Sequence, residues 1–275
     1  MDATNTNGES TRSPVLGRIE NALSAAASAI VPFLVETPKV EFKSGRDPVT
    51  EADRVANHIL RDSLLRDGEG WLSEESVDSL SRLGKECVWV VDPIDGTQEF
   101  VSGIPEWCIS VGFVENGRAV AGGICNPVTG EVFLGAIGEG VRLNGVSVNV
   151  SQRECLEGAV VLASRSEVAR GEWDCFRDAP FVKRPMGSVA YKLALVAAGR
   201  ADATWTGCPK NEWDIAAGAA LVQAAGGFVR NLNGSELRFN NPSPLLPGLV
   251  ACGRQLDLKL NAWLRGKNEH SADGR

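Results

Sequence analysis

The chain has 275 residues, of which 43% are hydrophobic and 23% charged, a length and composition suited to one large globular domain or to two that share an interface. Its formal net charge of −7, with no compensating stripe of lysine and arginine, argues against a nucleic-acid polymer as partner. No apolar run is long enough to cross a membrane and residues 1–14 lack the features of a signal peptide, so we expect a cytoplasmic protein.

The cysteine and histidine content narrows the choice of metal. Seven cysteines are scattered without a C-x-x-C pair, and we expect them to be reduced and structural. Two histidines cannot supply the histidine set of a catalytic zinc site. A metal in this protein is therefore predicted to be Mg²⁺ or Mn²⁺, held by oxygen ligands.

In the N-terminal part, a disordered segment at 1–14 is predicted to precede an alanine-rich helix over 15–35. Residues 36–49 are polar and broken by proline and glycine, which predicts a mobile loop over a site. Thr50 and Asp53 then have the form of a helix capping box. Asp53 is therefore either a helix-start carboxylate or an acid directed at a cation site, and the sequence leaves both interpretations open.

Acidic residues follow two short apolar segments. Glu74-Glu75 come after one of them, and the run Asp92-Pro93-Ile94-Asp95-Gly96-Thr97 comes after the other, 88–91. We interpret 88–91 as a buried strand, with Asp92 where the sheet stops and Asp95 one tight turn later. Pro93 lacks an N–H and Gly96 tolerates unusual backbone angles, so the Ile94 carbonyl can turn outward. Two carboxylates and a carbonyl can form a cation site of hard oxygen ligands, although the same run of residues is also typical of an ordinary turn.

The pattern changes near residue 150. Before it, strands are predicted at 108–115, 119–126 and 131–137, joined by Asn-Gly and Thr-Gly turns into an antiparallel meander. After it, strands and helices alternate: strand 159–163, helix 167–175, strand 181–184, helix 189–198, strand 203–206, helix 212–225, strands 228–230 and 249–251, helix 256–264. We therefore predict an N-terminal α+β domain at 15–150 that carries the acids, a C-terminal α/β domain at 151–265 that completes the site, and a flexible tail at 266–275.

Two of these helices begin with residues that suit a binding site. Gly187-Ser188 precede one helix, and free N–H groups at a helix start can bind a phosphate, although a plain N-cap explains the same residues. Asp214 lies in the first turn of the other, where an acid is favoured for capping alone.

Together, Asp53, Glu74-Glu75, the run 92–97, and Trp213-Asp214 followed by Gly226-Gly227 resemble the signature of a family of magnesium-dependent, lithium-sensitive phosphatases. That family includes inositol monophosphatases and 3'(2'),5'-bisphosphate nucleotidases. Every block is present, in order, and the resemblance covers about 15–265. It implies a layered αβαβα sandwich of the sugar-phosphatase type, between the α+β and α/β classes, and a phosphomonoesterase that acts on a small phosphorylated metabolite. A homodimer is one assembly that the resemblance allows.

The resemblance also implies roles for individual residues. A first Mg²⁺ would be held by Glu74, Asp92 and the Ile94 carbonyl, and a second by Asp92, Asp95 and Asp214. A third, weaker ion would lie near Glu74 and Asp53. Mn²⁺ would be a substitute and Li⁺ an inhibitor. Asp53 and Thr97 would orient the attacking water, with Glu74 also in a catalytic role, and the N–H groups of Gly96 and Thr97 would bind the phosphate.

The chemistry of phosphate ester hydrolysis fits this set of residues, since clustered carboxylates with metal ions can activate water and neutralise phosphoryl oxygens. No Ser/His or Cys/His pair favours a covalent mechanism. Three runs, 72–76, 187–192 and 209–218, resemble bacterial-type bisphosphate nucleotidases, which favours 3'-phosphoadenosine 5'-phosphate as substrate. Its second phosphate would require a cation away from the metals, and the candidate substrate contacts are Gly187, Ser188, Arg165, Lys192 and Lys210.

Three alternatives remain open at this stage. Inositol phosphate and histidinol phosphate are the other small esters that such a site would accept. A metal-binding regulatory module without turnover is the non-enzymatic alternative, and it is disfavoured because metal binding alone would not require Asp53 and Thr97.

Overall fold

The computed structural model describes residues 12–34, 40–42 and 48–272, within which it has seven α-helices and sixteen β-strands. The helices are α1 Ser13–Ile30, α2 Glu51–Leu64, α3 Thr97–Val101, α4 Arg165–Ala169, α5 Val189–Ala197, α6 Glu212–Ala224 and α7 Asp257–Ala272. The strands are β1 Val40–Phe42, β2 Pro48–Thr50, β3 Gly70–Ser73, β4 Cys87–Asp95, β5 Cys108–Glu115, β6 Arg118–Asn126, β7 Glu131–Ala136, β8 Gly140–Leu143, β9 Val146–Val148, β10 Val160–Ser164, β11 Val182–Met186, β12 Ala203–Thr206, β13 Lys210–Asn211, β14 Gly227–Asn231, β15 Leu245–Leu246 and β16 Leu249–Gly253.

A seven-stranded sheet contains β3 to β9 in chain order. β3 and β4 are parallel, and every later pair is antiparallel. The tight turn between β5 and β6 places Asn116 and Gly117 at φ 50° and 76°, backbone angles that asparagine and glycine accept in hairpins. The predicted meander over β5 to β7 is confirmed.

A five-stranded sheet has the order β11-β10-β12-β16-β14, with its first three strands parallel and β16 antiparallel to both of its neighbours. Helices α5 and α6 pack between the two sheets. One continuous core joins Val90 and Ile124 of the first sheet to Leu221 of α6 and Leu162 of the second sheet. The two halves of the chain thus share a core, and a domain boundary near residue 150 stays a prediction.

The outer faces of both sheets are covered by the remaining long helices. Leu23 of α1 and Leu60 of α2 pack with Trp89 against the first sheet. On the second sheet, Leu260 of α7 packs with an aromatic cluster in which the Trp173 and Trp205 rings stack with centroids 4.7 Å apart. The layers are therefore αβαβα, which confirms the predicted fold class. None of the described helices has both the length and the hydropathy to span a membrane.

Some predicted boundaries were wrong. Strand β4 does not stop at Asp92: it continues to Asp95, with a register shift against β5 between these two residues. The interruption contains Pro93, which cannot donate to the ladder, so the strand bulges and resumes. The helix predicted over 167–175 is instead the short α4 and a 3₁₀ turn at Asp174–Phe176, separated by Gly171 at φ 78°.

The termini and one loop also differ from prediction. Helix α1 begins at Ser13, inside the predicted disordered segment, and a 3₁₀ turn, Val31–Leu34, ends it. In the predicted loop at 36–49, residues 40–42 and 48–50 pair as a hairpin, while 35–39 and 43–47 lie outside the described residues. Helix α7 continues through most of the predicted tail to Ala272. Residues 1–11 and 273–275 are also outside the described part of the chain.

Candidate active site

Three carboxylates converge where β4 ends. Asp92 and Asp95 come from that strand, and Asp214 comes from the first turn of α6. One carboxylate oxygen from each lies within 4.8 Å of the others. Helix α6 brings Asp214 to this position because it packs directly on the sheet: a β-carbon at Gly122 of β6 would lie 2.4 Å from the Ala217 carbonyl oxygen.

These acids destabilise one another when they are charged. Burial, reinforced by the negative charges of Glu74, Asp95 and Asp214, raises the pKa of Asp92 well above its usual range. Burial and neighbouring acids likewise raise the pKa of Asp214 well above its usual range. Buried carboxylates this close together require protons or a cation. A cluster of oxygen donors without histidine fits a hard divalent cation such as Mg²⁺.

Glu74 lies beside this cluster, at the end of the neighbouring strand, where its charge helps to raise the pKa of Asp92. Strands β3 and β4 run parallel, with Ser73 opposite Val91, and the Glu74 N–H donates to the Val91 carbonyl at 3.3 Å. The acids that follow the two apolar segments therefore lie side by side, as the sequence predicts. The Ile94 carbonyl accepts the hydroxyl of Thr97 at 3.1 Å, and Asp92 accepts the Ile94 N–H at 3.0 Å.

Asp53 has the helix-start role that the capping box predicts, while its role at a cation site stays a prediction. Its Oδ2 accepts the Thr50 N–H at 2.8 Å and the Thr50 hydroxyl at 2.6 Å, which completes the capping box of α2. Its Oδ1 lies 3.5 Å from the Thr97 hydroxyl, at the edge of hydrogen-bond distance. Burial raises the pKa of Asp53 to about 6. Gly96, the residue before α3, has φ 98° and so supplies the backbone angle that brings Thr97 to this place.

Asp95 occupies the start of α5. Its Oδ2 accepts the Ser188 hydroxyl and the Ala190 N–H, both at 2.6 Å. Ser188 is the N-cap of the helix, since its side chain also accepts the Tyr191 N–H at 3.0 Å. The Gly187 N–H donates to Glu106 at 2.9 Å. The groups at Gly187 and Ser188 that the sequence predicts as phosphate contacts thus bind carboxylates of the chain. The N-cap interpretation of Ser188 is confirmed.

Comparison with known proteins agrees with this geometry. The model of the inositol monophosphatase family matches residues 15–266. The chain belongs to this family of phosphatases. The inositol-1-monophosphatase of Rhizobium meliloti is 33% identical over 231 residues, which cover 80% of this chain and 84% of that protein. The Nus factor SuhB of Pseudomonas aeruginosa is also 33% identical, over 79% of this chain and 84% of that protein. Among solved structures, the Thermotoga maritima IMPase has a TM-score of 0.81 at 29% identity, covering 94% of this chain and 99% of that one.

Each of the three cations predicted to bind a second phosphate already has a partner in the chain. Lys192 is only 4% exposed, its Nζ donates to the Met186 carbonyl at 3.4 Å, and burial lowers its pKa to about 8. The Nζ of Lys210 lies 3.6 Å from a Glu167 carboxylate oxygen. Arg165 forms ion pairs with Glu106 and, at 3.8 Å, with Glu99; these are again acids of the same chain.

Two acids near the site escaped the sequence analysis. Glu106 has no local signal, because its partners Arg165 and Gly187 lie 59 and 81 positions along the chain. Glu212 is fully buried and binds the backbone at Asn240 and Asn241. A signal for Glu212 did exist: with Asp214, it is one of two acids in the first turn of a helix whose remaining residues are almost all apolar.

Proposed function

We propose that this chain hydrolyses a small phosphate monoester with Mg²⁺ held by carboxylates at the end of β4. The observation that supports it most is the approach of three acidic side chains to within 4.8 Å, next to the Asp53 and Thr97 pair. The ligands proposed for the ions are Glu74, Asp92, the Ile94 carbonyl, Asp95 and Asp214, with Asp53 near a third ion. When bound, Mg²⁺ would acidify the attacking water and neutralise the phosphoryl oxygens.

The chain itself would supply the route for the proton. A hydroxyl has one proton to donate, so Thr97 gives it either to the Ile94 carbonyl or to Asp53. When it donates to Asp53, its oxygen can accept a hydrogen bond from the attacking water. Because the pKa of Asp53 is raised to about 6, this carboxylate is a better proton acceptor near neutral pH than an ordinary aspartate.

An inositol monophosphate is the substrate we propose first. Relatives that share about a third of their residues with this chain are named inositol-1-monophosphatases. The partners of Lys192, Lys210 and Arg165 also favour a substrate with a single phosphate, since a second one would have to compete with acids or carbonyls of the chain.

A second candidate is 3'-phosphoadenosine 5'-phosphate. The observation in its favour is that the side chain of Arg165 stays 41% exposed, so the guanidinium can contact solvent and a ligand despite its ion pairs. A guanidinium is well shaped for bidentate binding of a phosphate.

Hydrolysis of a panel of esters with Mg²⁺ tests the proposal. Inositol 1-phosphate, 3'-phosphoadenosine 5'-phosphate and histidinol phosphate would be compared by kcat/KM, with Mn²⁺ as alternative metal. We expect inositol 1-phosphate to have the highest kcat/KM. A higher kcat/KM for 3'-phosphoadenosine 5'-phosphate would favour the second candidate instead. Asp92→Asn should abolish hydrolysis and leave folding intact, because it removes the charge of a proposed bridging ligand at nearly constant size.

The control for this experiment is Asp62→Asn, which makes the same change at an exposed position of α2 and should keep full activity. A wild-type chain that binds Mg²⁺ but turns over no ester would leave the metal-binding module as the function. Normal activity of Asp92→Asn at saturating Mg²⁺ would contradict the assignment of the site.

A further inference from the structure

We propose that Glu212 and Arg82 are positioning residues, which hold the strand-end acid Glu74 and the helix acid Asp214 at the separation that the proposed two-ion site requires. The inference rests on the proposed function, because it concerns the same metal site. It assigns a role to a buried hydrogen-bonded network that touches none of the three clustered carboxylates.

Glu212 holds the start of α6 against the connection that leads to β15. Its carboxylate accepts the Asn240 N–H at 2.6 Å, the Asn241 N–H at 2.9 Å and the Asn241 side-chain amide at 2.7 Å. In addition, the Glu212 N–H donates to the Pro244 carbonyl at 2.8 Å. The side chain is fully buried, and Asp214 follows it within the same helical turn.

Arg82 holds the other side of the same connection. It lies between β3 and β4, in the segment that begins with Glu74, and is only 1% exposed. Its guanidinium donates to the Asn240 side-chain oxygen at 2.7 Å, to the Asn241 carbonyl at 2.9 Å and to Asp78 at 2.8 Å. Asn240 returns a bond from its amide to the Arg82 carbonyl at 3.2 Å.

The network therefore joins two elements that the chain connects only through more than a hundred intervening residues. Glu74 is placed by β3, and Asp214 is placed by α6. Asn240 and Asn241 bind both Arg82 and Glu212, so a shift of the segment after Glu74 would be transmitted to the first turn of α6. Buried charged groups are expensive, and apolar residues of similar size are often as stable or more so. Directional bonds fix relative position in a way that apolar packing does not.

Direct measurement of metal affinity separates positioning from simple stabilisation. Mn²⁺ binding would be followed by electron paramagnetic resonance, well below the Tm of each variant, for wild type, Glu212→Gln, Asn240→Gly, Glu236→Gln and Asp92→Asn. Glutamine keeps the size of Glu212 but presents an amide NH₂ to one of the backbone donors. Asn240→Gly removes the side chain that meets Arg82 and suits the backbone there, where φ is 62°. Glu236→Gln is the matched control, since Glu236 is a half-exposed acid paired with two surface arginines.

We expect the Kd for Mn²⁺ to rise by ~10-fold in Glu212→Gln, the low end of the range for residues that bind metal ligands directly, because Glu212 acts only through the position of α6, and to rise by less in Asn240→Gly. The Kd should not change in Glu236→Gln. In these three variants the KM for the ester at saturating Mn²⁺ should change little. A folded Glu212→Gln variant with wild-type affinity would overturn the inference, and if this variant does not fold, Asn240→Gly is judged by the same criterion. If instead wild type binds no Mn²⁺, or Asp92→Asn binds it as wild type does, the proposed function itself fails.

Discussion

At Asp53 the two carboxylate oxygens face different partners, Thr50 on one side and Thr97 on the other. Removing the charge of such a group affects both a helix cap and a candidate proton acceptor. Asp53→Asn alone therefore cannot show whether a loss of activity comes from the helix cap or from the proton acceptor. Combining it with a substitution of Thr97 can separate the two effects, because Thr97 is not part of the cap.

We predict that Thr97→Val lowers kcat by ~10²–10⁴-fold with little change in KM, since it keeps the shape and removes the hydroxyl that would contact the attacking water. Asp53→Asn should lower kcat similarly. The double variant should be scarcely slower than either single one, because two residues that act as a unit give non-additive losses. Steady-state kinetics at saturating Mg²⁺ measures all three.

Losses that multiply in the double variant would contradict this coupling. Asp53 would then act only as the cap of α2, and Thr97 only as a phosphate contact. Thermal unfolding of the same proteins provides the control: Asp53→Asn should lower Tm through the cap, for which losses of ~0.5–2 kcal/mol are usual, whereas Thr97→Val should lower it less.

At the scale of elements, the position of Asp214 depends on how closely α6 approaches the sheet. Gly112 and Gly122 face the backbone of α6 at Ala216 and Ala217, and a β-carbon at Gly122 would lie 2.4 Å from a carbonyl oxygen. A backbone carbonyl in a packed helix cannot move aside as a flexible side chain can. The helix would have to lift from the sheet.

We therefore predict that Gly122→Ala lowers stability by ~1–3 kcal/mol, the usual cost of overpacking, and also weakens Mg²⁺ binding through Asp214. Gly17→Ala is the matched control: Gly17 lies inside α1 with nothing within 4 Å of an added β-carbon. This change should stabilise by ~0.5–1 kcal/mol. Urea unfolding and Mg²⁺ titration of both variants test the prediction, and equal stabilities would refute the close-packing argument.

How much the sequence reveals depends on the range of the interactions concerned. The hairpin turns at Asn116-Gly117 and Thr129-Gly130 are local signals, and the strands they join were predicted almost to the residue. Asp92, Asp95 and Asp214 could be predicted together because they belong to a recognisable pattern. The distance between their carboxylate oxygens could not be predicted, because it depends on how α6 packs on β5 and β6.

Predictions are wrong or stay open where the deciding contact is made by a residue far along the chain. The apolar run ends at Val91, which predicts that the sheet stops at Asp92, yet Cys108 of β5 pairs with Asp95 beyond the bulge. The phosphate contact at Gly187 and Ser188 stays a prediction, since the sequence does not show that Glu106 and Asp95 bind these groups. Asp95, which binds Ser188, lies 93 positions earlier in the chain.

At the scale of the whole molecule, the cluster draws its acids from the seven-stranded sheet and from α6, which packs on it, so a cation bound there would contact both layers at once. We predict that Li⁺ inhibits hydrolysis at Mg²⁺ concentrations that support it, because a monovalent ion in a site for Mg²⁺ neutralises less of the acids' charge. Initial rates in LiCl, compared with NaCl at equal ionic strength, measure the effect. No difference between the two salts over a wide titration would separate this chain from lithium-sensitive relatives.

The metal-free protein should lose stability as pH rises. The pKa of Asp53, Asp92, Asp95 and Asp214 is raised in the folded chain, chiefly by burial. The folded state therefore binds protons more tightly than the unfolded state does, and the free energy of unfolding falls as pH rises through the folded pKa, which for Asp53 is about 6. Acids with a lowered pKa, such as Glu131, are ionised in both states above about pH 5 and do not reverse this trend.

In EDTA, the Tm should thus be higher at about pH 5 than at about pH 7.5, because protons replace the missing cation in neutralising the cluster. Mg²⁺ should raise the Tm more at the higher pH, where it does not compete with protons. Asp92→Asn should be more stable than wild type in EDTA at about pH 7.5, because it removes one repelling charge while its amide oxygen can still accept the Ile94 N–H. The increase in Tm that Mg²⁺ produces should be mostly lost in this variant. Scanning calorimetry of wild type and Asp92→Asn, in EDTA and in Mg²⁺, tests these expectations. An Asp92→Asn variant with a lower Tm than wild type in EDTA would contradict them, because it would show that contacts within the chain, rather than a cation, stabilise the carboxylates.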